Sequence, residues 1–577
     1  MRIPTGPALS LFCLLLPARM WSQQAAMTRA FDLERRGNYA AAVEAYRGIL
    51  TGKPADVSAL LGLERSLLPL NRSREMLPVV GAALAAAPSN SAVYGIALRA
   101  WAAADEPDSV RSLADQWARI APTEETPYRE WGAAQLRRQD RPAARAAYLR
   151  GRERLGRPDA LAAELAQLAL AEGEYPVALR EWLMAVRRLP GYRGTAVATL
   201  SQVPETARSD LLRLLARETD LPSTRIEAEL RARWGDPVGA YRTLSSRLPA
   251  DRVQAIAVLR SLLDQVRTLQ TTAARQAQGR LLEALAERSP EPQASQLRLE
   301  AGQAYSAAGD RDAARRMLAG LANDRTAPRS VASNAATTLV AVLISEGKLD
   351  EASQRLSERR AAIGADEYDG LTRRIAAGWM RQGNLARAEA AMAADSSVEG
   401  LALHGRIRLY QGDIAGAMER LKAAGPYAGS RAEATQRTAL LALLQPIEAD
   451  SLPDLGKALL RLEQGDTAEA SAALERVAAQ LAPQHGGAEL NLMAGRFAAI
   501  TGKLPEAERL FRAAAVKDAP ATAPAAELAL AELLISSRRP GEAVEVLEHL
   551  ILTYPESALV PQARRKLDEA RGAVPRT

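Results

Sequence analysis

The chain has 577 residues, of which 47% are hydrophobic, 4% aromatic and 25% charged. This length exceeds what one compact core holds, the scarcity of bulky rings argues against a large globular core, and the ordinary charge content excludes bulk disorder. The formal net charge of +7 is too small and too dispersed for a nucleic-acid-binding protein, which concentrates its basic residues in one stripe. A repeat array of thin helices, with alanine at the close contacts, fits this composition.

The N-terminus has the layout of a secretory signal. A basic start precedes an apolar run over residues 8–16, and a polar region follows up to Ser22. The run is too short to span a bilayer but is typical of an export signal. We therefore expect residues 1–22 to be a signal peptide, the protein to be periplasmic or otherwise extracytoplasmic, and the mature chain to have no transmembrane segment.

Two alternatives for this N-terminal segment stay open. A lipoprotein would be anchored at Cys13, the only cysteine of the chain, but lipid-modified cysteines follow a small residue and Phe12 is large. The second alternative is a tail with no export role. If the segment is removed, the mature chain has no thiol for a disulfide or a metal site.

Helix-breaking residues recur at a fixed period in the first third of the chain. Two helices of about 12 residues joined by short turns make a unit of about 34 residues. The breakers, each 34 residues from the next, are Pro54, Pro88, Pro122, Gly156 and Pro190. This period predicts five helix pairs over residues 23–190.

A second signature marks the turn inside each pair. A glycine closes the first helix in the left-handed conformation, an alanine follows five residues later where the two backbones approach, and a bulky apolar residue lies four positions beyond on the same face. The glycines are Gly37, Gly173, Gly235, Gly309, Gly347, Gly383, Gly412, Gly465 and Gly502. In divergent copies Asn71, Asp105 and Gln139 replace the glycine, while Met76 and Val110 replace the alanine.

These motifs carry a family resemblance. The segment Gly37–Tyr46 (GNYAAAVEAY), with Ile49 and Pro54 at the expected offsets, resembles a tetratricopeptide repeat, as do the segments beginning at Gly173 and Gly502. The resemblance implies an all-α fold, an α-solenoid of tetratricopeptide-type helix-turn-helix repeats forming a right-handed superhelix. It also implies that the first helices line a concave groove in which other proteins bind.

The same signals divide the rest of the chain. The register is lost over 191–292, which we interpret as degenerate helical repeats, with a separate helical domain as the alternative. Repeats resume over 293–425, and a gap of 53 residues between two turn glycines predicts an extra helix within 426–451. Repeats continue over 452–555. The charged segment 556–577 is typical of a polar capping helix and tail.

No pattern of chemistry-bearing residues points to catalysis. The three histidines, His404, His485 and His549, lie too far apart for metal-ligand spacing. The sequence has neither a nucleophile elbow nor a phosphate-binding glycine loop. We therefore expect a non-enzymatic protein with no catalytic residue, no cofactor and no metal. Tryptophans such as Trp117 and Trp182 fall at packing positions of the repeat and predict core contacts rather than a sugar-stacking surface.

The resemblance implies a protein-interaction scaffold or adaptor of the bacterial cell envelope that binds partners through its concave face. Arg99, Arg129 and Arg137 fall at groove-facing phases of the repeat and favour an acidic segment of a partner protein. The alternative is a carrier or chaperone component of an envelope polysaccharide export or outer-membrane assembly system, with polysaccharide as a possible partner. Residues 552–557 (LTYPES) are similar to repeats of bacterial envelope proteins, and no nucleic-acid partner is expected.

Overall fold

The computed structural model describes residues 12–425 and 430–573, and for residues 12–23 it describes the backbone alone. Within these ranges there are 32 α-helices, four short 3-10 helices and no β-strand. The predicted all-α class is therefore confirmed. Of the expected signal peptide, residues 1–11 lie outside the described part of the chain, and export stays a prediction.

The chain forms two compact units, residues 1–277 (unit 1) and 278–577 (unit 2). The helices of unit 1 are α1 (Phe12–Arg35), α2 (Tyr39–Gly52), α3 (Val57–Leu67), α4 (Met76–Ala86), α5 (Ser91–Ala103), α6 (Pro107–Ile120), α7 (Thr126–Arg137), α8 (Arg141–Leu155), α9 (Ala162–Ala171), α10 (Tyr175–Arg188), α11 (Arg193–Leu200), α12 (Glu205–Leu215), α13 (Leu221–Arg233), α14 (Pro237–Ser245) and α15 (Arg252–Arg267). Helix α16 (Thr272–Ala286) contains the division between the units.

The helices of unit 2 mostly form pairs as well. They are α17 (Gln293–Ala307), α18 (Arg311–Asn323), α19 (Arg329–Ser345), α20 (Leu349–Glu358), α21 (Ala365–Arg381), α22 (Leu385–Met392), α23 (Val398–Gln411), α24 (Ile414–Ala423), α25 (Arg431–Leu444), α26 (Pro453–Glu463), α27 (Thr467–Ala478), α28 (Gly487–Ile500), α29 (Leu504–Ala514), α30 (Ala523–Ser536), α31 (Pro540–Thr553) and α32 (Val560–Ala573). The finer segmentation expected from the repeat signals stays a prediction.

Consecutive helices pack as pairs within each unit. The second helix of a pair contacts its own first helix and, in most pairs, the first helix of the next pair, as α18 contacts both α17 and α19. First helices also contact one another, α3 with α5 and α5 with α7 in unit 1, and α19 with α21 in unit 2. Each unit is therefore a stack of helix pairs with one face made of first helices, which is the arrangement of an α-solenoid.

The turns inside the pairs have the backbone geometry that the repeat requires. Gly37 and Gly173 adopt φ values of 73° and 78°. The three residues expected to replace the turn glycine do the same, with φ of 54° at Asn71, 63° at Asp105 and 62° at Gln139. Asparagine and aspartate tolerate this left-handed region better than most residues. The predicted turn positions are confirmed.

The packing seam also lies where the repeat motif puts it. Ala42 and Ala178 are fully buried, and the bulky residues four positions later, Tyr46 and Trp182, are 1% and 0% exposed. A second component of this seam, a glycine on the first helix, was not predicted. A Cβ added at Gly132 would lie 2.1 Å from the Tyr148 ring of the paired helix, so only glycine fits beside that ring.

One helix, α25, interrupts the order of pairs in unit 2. Ser430 caps it through a capping box with Glu433, in which each side chain bonds to the backbone N–H of the other residue. Helix α26 packs directly on α23, and a Cβ added at Gly456 of α26 would lie 2.6 Å from the Leu409 carbonyl oxygen. Helix pairs on either side of α25 are therefore in direct contact, because α26 packs on α23.

Among the described helices, none combines the length and the apolar character needed to cross a bilayer. The tryptophans at packing positions are in the core, since Trp117 is 1% exposed and stacks on Tyr94 with ring centroids 5.6 Å apart. The handedness of a superhelix stays an implication of the repeat resemblance.

Candidate partner-binding surfaces

The first-helix face of unit 1 contains a groove of about 430 Å³, called here the unit 1 groove. It lies between α3, α5, α7 and the start of α4. Its floor is apolar and is made by Leu67, Met76, Ala100, Ala102 and Ala134. Its rim is basic and carries Arg65, Arg99, Arg137 and Arg138. A concave apolar floor with a few polar groups at its edge is the usual form of a binding site.

Arg99 is on this rim, but its charge is already matched within the chain. Its Nε donates to Glu64 Oε1 at 2.8 Å and its Nη2 donates to Glu64 Oε2 at 2.7 Å. Both side chains are about a quarter exposed. This two-bond fork is the strongest geometry available to a guanidinium, so Arg99 fixes α5 against α3 and offers little net charge to a partner.

Arg129 lies outside the unit 1 groove and is also neutralised. Its Nε donates to Glu164 Oε1 at 2.5 Å and its Nη2 donates to Glu125 Oε2 at 2.9 Å. Arg157 forms an ion pair with the same Glu125. The structure therefore brings Arg99 and Arg137 to one groove and places Arg129 in a separate network of alternating charges.

Arg137 is the predicted residue that keeps an available charge. It is the last residue of α7, it is exposed, and it lines the unit 1 groove. In the described part of the chain, no carboxylate forms an ion pair with it. Leu68, which also lines the groove, is 66% exposed. The groove thus presents both an unmatched guanidinium and an accessible apolar side chain.

The ion pairs that Arg99 and Arg129 form with carboxylates follow from the repeat itself. Residues about one repeat apart occupy neighbouring first helices at similar heights, so opposite charges at that separation meet. The separation is 31 residues for Glu34 with Arg65, and 35 residues for Glu64 with Arg99 and for Arg129 with Glu164. A search of the sequence for opposite charges one repeat apart is the signal that identifies these pairs.

The pair at the start of this series is linked to the core. Tyr46 donates its hydroxyl hydrogen to Glu34 Oε2 at 2.7 Å. Burial together with this carboxylate raises the pKa of Tyr46 to about 12. The hydrogen bonds from Arg65 and Tyr46 outweigh burial and lower the pKa of Glu34 below its ordinary value of 4.5. The carboxylate therefore stays ionised and joins α1, α2 and α3.

A second groove of about 630 Å³ lies in unit 2 between the first helices α28 and α30 and the start of α29. Ile500 and Leu504 line it and are 75% and 42% exposed. Its charged residues, Arg496 and Glu532, are of opposite sign. Exposed apolar side chains that form a contiguous patch are a common feature of interaction surfaces.

The three histidines lie in separate places in the described part of the chain. His404 lies in α23, His485 is 3.2 Å from Glu448, and His549 of α31 is 2.9 Å from Glu527 of α30. No cluster of three or more metal-ligating side chains occurs among the residues that the structure describes.

No family model matches this chain, and no curated protein matches it. Among solved structures, it is similar to TTC0263, a thermophilic TPR protein of Thermus thermophilus, at 20% identity and a TM-score of 0.22 over 31% of this chain and 98% of that one. A TPR protein of Parabacteroides merdae is similar at 14% identity and 0.22, over 52% and 100%. The structure of Naa15/Naa10 bound to HypK-THB is similar at 14% and 0.24, over 95% and 96%.

These identities and TM-scores are low, so the fold assignment rests on the chain's own features. The left-handed turn seen at Gly37, the buried alanine seen at Ala42 and a buried bulky side chain at the position of Tyr46 recur through both units. Together with the contacts between successive first helices, they make the fold an all-α stack of helix pairs of the TPR type.

Proposed function

We propose that this chain is a non-enzymatic scaffold that binds other proteins through the first-helix faces of its repeats. The observation that carries the proposal is the unit 1 groove, where an apolar floor lies beside the unmatched guanidinium of Arg137. The occupant that fits is an extended or helical segment with an acidic side chain next to a large apolar one. The apolar side chain would cover Leu68, and the carboxylate would pair with Arg137.

Buried apolar area would supply most of the affinity, and the rim charge would supply most of the selectivity. Removing the exposed part of Leu68 and the groove floor from water supplies the apolar contribution to binding. An ion pair to Arg137 at the rim adds modest affinity, speeds association and disfavours basic segments. The neutralised Arg99 contributes mainly by holding α5 and α3 at the separation that opens the groove.

The cellular location is part of this proposal. The basic start, short apolar run and polar region of residues 1–22 support export, and with it a scaffold or adaptor role in the bacterial cell envelope. No described feature favours polysaccharide over protein as the ligand, because Trp117 and Trp182 are buried in the core. Fractionation of cells producing the tagged chain tests the location: recovery of a chain that retains residues 1–22 in the cytoplasm would contradict export.

The groove assignment is tested by site-specific photocrosslinking in cells. A photoreactive residue at Leu68 is expected to capture a defined partner, whereas the same residue at Arg119, exposed on the second helix α6, is not. Purified partner should then bind the Arg137→Glu variant about tenfold or more weakly, since reversal of a rim charge turns attraction into repulsion. Arg119→Glu carries the same change of net charge and should bind like the original chain.

A further inference from the structure

Unit 2 contains a cavity of about 360 Å³ between α21, α23 and the inserted helix α25, called here the α25 cavity. Arginines reach it from all three helices, and carboxylates are fewer. The charged residues that line it are Arg373, Arg374, Arg406 and Arg437 against Glu399 and Glu433. It belongs to no repeat groove, because one of its walls is the helix that interrupts the order of pairs.

Arg373 and Arg406 have carboxylate partners that do not line the cavity. Arg373 Nη1 donates to Asp395 Oδ2 at 3.0 Å and to Ser397 Oγ at 3.1 Å. Burial opposes the ionisation of Asp395, but hydrogen bonds from Ser397 and Arg373 outweigh it, and the pKa of this carboxyl is lowered. These bonds hold the Arg373 guanidinium in place at the edge of the cavity.

Arg406, the second of them, shows an unused donor. Its Nη2 forms an ion pair with Glu463 of α26 and lies 3.4 Å from the Tyr410 hydroxyl oxygen. Its Nε is buried and has no hydrogen-bond partner. A buried donor without an acceptor is unfavourable, and Arg406 itself lines the cavity.

The remaining two arginines differ in depth. Arg437 projects from α25 and is 4% exposed. Arg437 already interacts with other groups of the chain, and its guanidinium keeps its positive charge when it is buried. Arg374 of α21 is exposed and forms no ion pair with any residue of the described chain. Positive charge therefore extends from the mouth of the cavity to its interior.

The carboxylates lie at the mouth. Glu399 and Glu433 are both exposed. Glu433 already accepts a hydrogen bond from the Ser430 backbone N–H at 2.7 Å, which lowers its pKa. Arg437 and Arg373 also lower the pKa of Glu433, so an anion inside the cavity would share these two arginines with a carboxylate whose charge is partly screened by solvent.

The rest of the lining is apolar, and the α25 wall is lightly held. Leu403, Leu421 and Leu440 contribute to the lining. Of the fourteen residues of α25, only Arg437, Leu443 and Leu444 are buried. A helix with so few buried contacts opens at low cost, which gives a ligand a way in.

We propose that the α25 cavity binds a small organic anion, a carboxylate or phosphate joined to a short apolar chain, and that α25 closes over it. The charged group would lie among Arg374, Arg406 and Arg437, and the apolar chain would contact Leu403 and Leu421. The cavity volume lies in the range of small-molecule sites, about 300–1,000 Å³. This inference is independent of the proposed protein partner in unit 1.

The test is titration calorimetry of the full-length protein with octanoate and octyl phosphate, each below the concentration at which it forms micelles. At least one of them is expected to bind saturably, and comparison of the two identifies the preferred charged group. Hydrogen exchange of α25 should slow on binding, since the ligand holds the helix closed. Octanol and inorganic phosphate, which each lack one half of the ligand, should bind at least tenfold more weakly.

The Arg374→Gln variant assigns the binding to this cavity. It is expected to weaken the bound anion about tenfold, while Arg381→Gln, also exposed and on the same helix, leaves binding unchanged. Both side chains are on the surface, so both variants should keep the helical content of the original chain.

Three results would overturn the inference. One is the absence of binding by both anions, and another is octanol binding as tightly as octanoate, which would show a merely apolar cavity. The third is an equal response of Arg374→Gln and Arg381→Gln, which would place the anion elsewhere on the chain. None of these results bears on the unit 1 groove, so failure here leaves the proposed function standing.

Discussion

The unit 1 groove and the α25 cavity both carry four arginines, yet the charges are organised differently. In the groove, helix pairs repeat without interruption, and Arg65 and Arg99 meet carboxylates contributed by neighbouring first helices. In the cavity, α25 enters from outside the repeat and brings Arg437 to arginines on α21 and α23. A regular period allows opposite charges to align between repeats, while an inserted helix adds positive charge at a place that the period does not set.

The largest expected effect concerns how closely the helices pack in the two regions. A Cβ at Gly456 would meet the Leu409 carbonyl oxygen at 2.6 Å, a backbone atom that cannot move independently. We expect Gly456→Ala to destabilise unit 2 by about 3 kcal/mol or more. Gly132→Ala meets a Tyr148 side chain at 2.1 Å, which can move, and should cost about 1–3 kcal/mol.

Gly48→Ala is the matched control, because nothing lies within 4 Å of the added Cβ in α2. It should stabilise the chain by up to about 1 kcal/mol through helix propensity alone. Urea denaturation followed by circular dichroism measures the free energy of unfolding, and hydrogen exchange of α23 and α26 locates the loss. If Gly456→Ala proved neutral, direct packing of α26 on α23 would be wrong.

Substitutions of Arg99 and Arg137 should have different effects, the first on stability and the second on partner binding. Arg99→Gln leaves Glu64 without its fork and should lower the free energy of unfolding by about 1 kcal/mol. Arg137→Gln removes no ion pair within the described chain and should stay within about 0.5 kcal/mol, but it should weaken partner binding. Thermal unfolding and partner titration of both variants check this. Equal effects on stability would contradict the paired and unpaired assignments.

The next effect concerns the local stability of α25. Ser430→Ala removes the capping box and should destabilise the N-terminal turn of α25 by about 1 kcal/mol. Its amide exchange should rise about fivefold while that of α23 is unchanged. Thr435→Ala changes an exposed position of the same helix and serves as the control. A rise that spread across unit 2 would show that α25 is part of the cooperative core.

The smallest effects are expected in the pH dependence, with opposite signs in the two units. The pKa of Glu34 is lowered chiefly by its bond to Arg65, so its stabilising contribution is present above pH 4.5 and is lost as the pH falls through the folded-state pKa. The pKa of Glu527 is raised by burial, only partly offset by His549. Its ionised form therefore costs stability as the pH rises above 4.5.

Neutral isosteres measure these two contributions. At about pH 7 Glu34→Gln should be less stable than the original chain, and Glu527→Gln equally or more stable, each by less than about 1 kcal/mol. Both differences should shrink as the pH falls below the ordinary glutamate value of 4.5. Urea midpoints at about pH 3.5 and about pH 7 measure the change. The same sign for both variants at neutral pH would show that burial does not govern Glu527.

Local patterns predicted much of the fold because the repeat is enforced by backbone geometry. The left-handed turn at Gly37 and its replacement by Asn71 follow from which residues tolerate positive φ. The buried Ala42 follows from the close approach of two helices. The glycine at Gly132 was not anticipated, since its need arises from the ring of Tyr148, which enters from another helix.

The candidate site was predictable only in part. Repeat phase determines which face of a first helix a residue occupies, and Arg99 and Arg137 both line the unit 1 groove; that they bind a partner stays a prediction. The same phase did not show that Glu64 neutralises Arg99. That pairing depends on two residues of different repeats meeting across a contact, and it requires their positions to be compared one repeat apart.

The sequence by itself determined that the chain is helical, where its pairs turn, and which residues face the seam between helices. These properties depend on contacts within about one repeat, where spacing and residue type suffice. Only the tertiary structure decided which groove charge remains unmatched and that α25, α21 and α23 enclose a common cavity. Those features arise from side chains far apart in sequence, and a periodic pattern carries no information about where an inserted helix comes to lie.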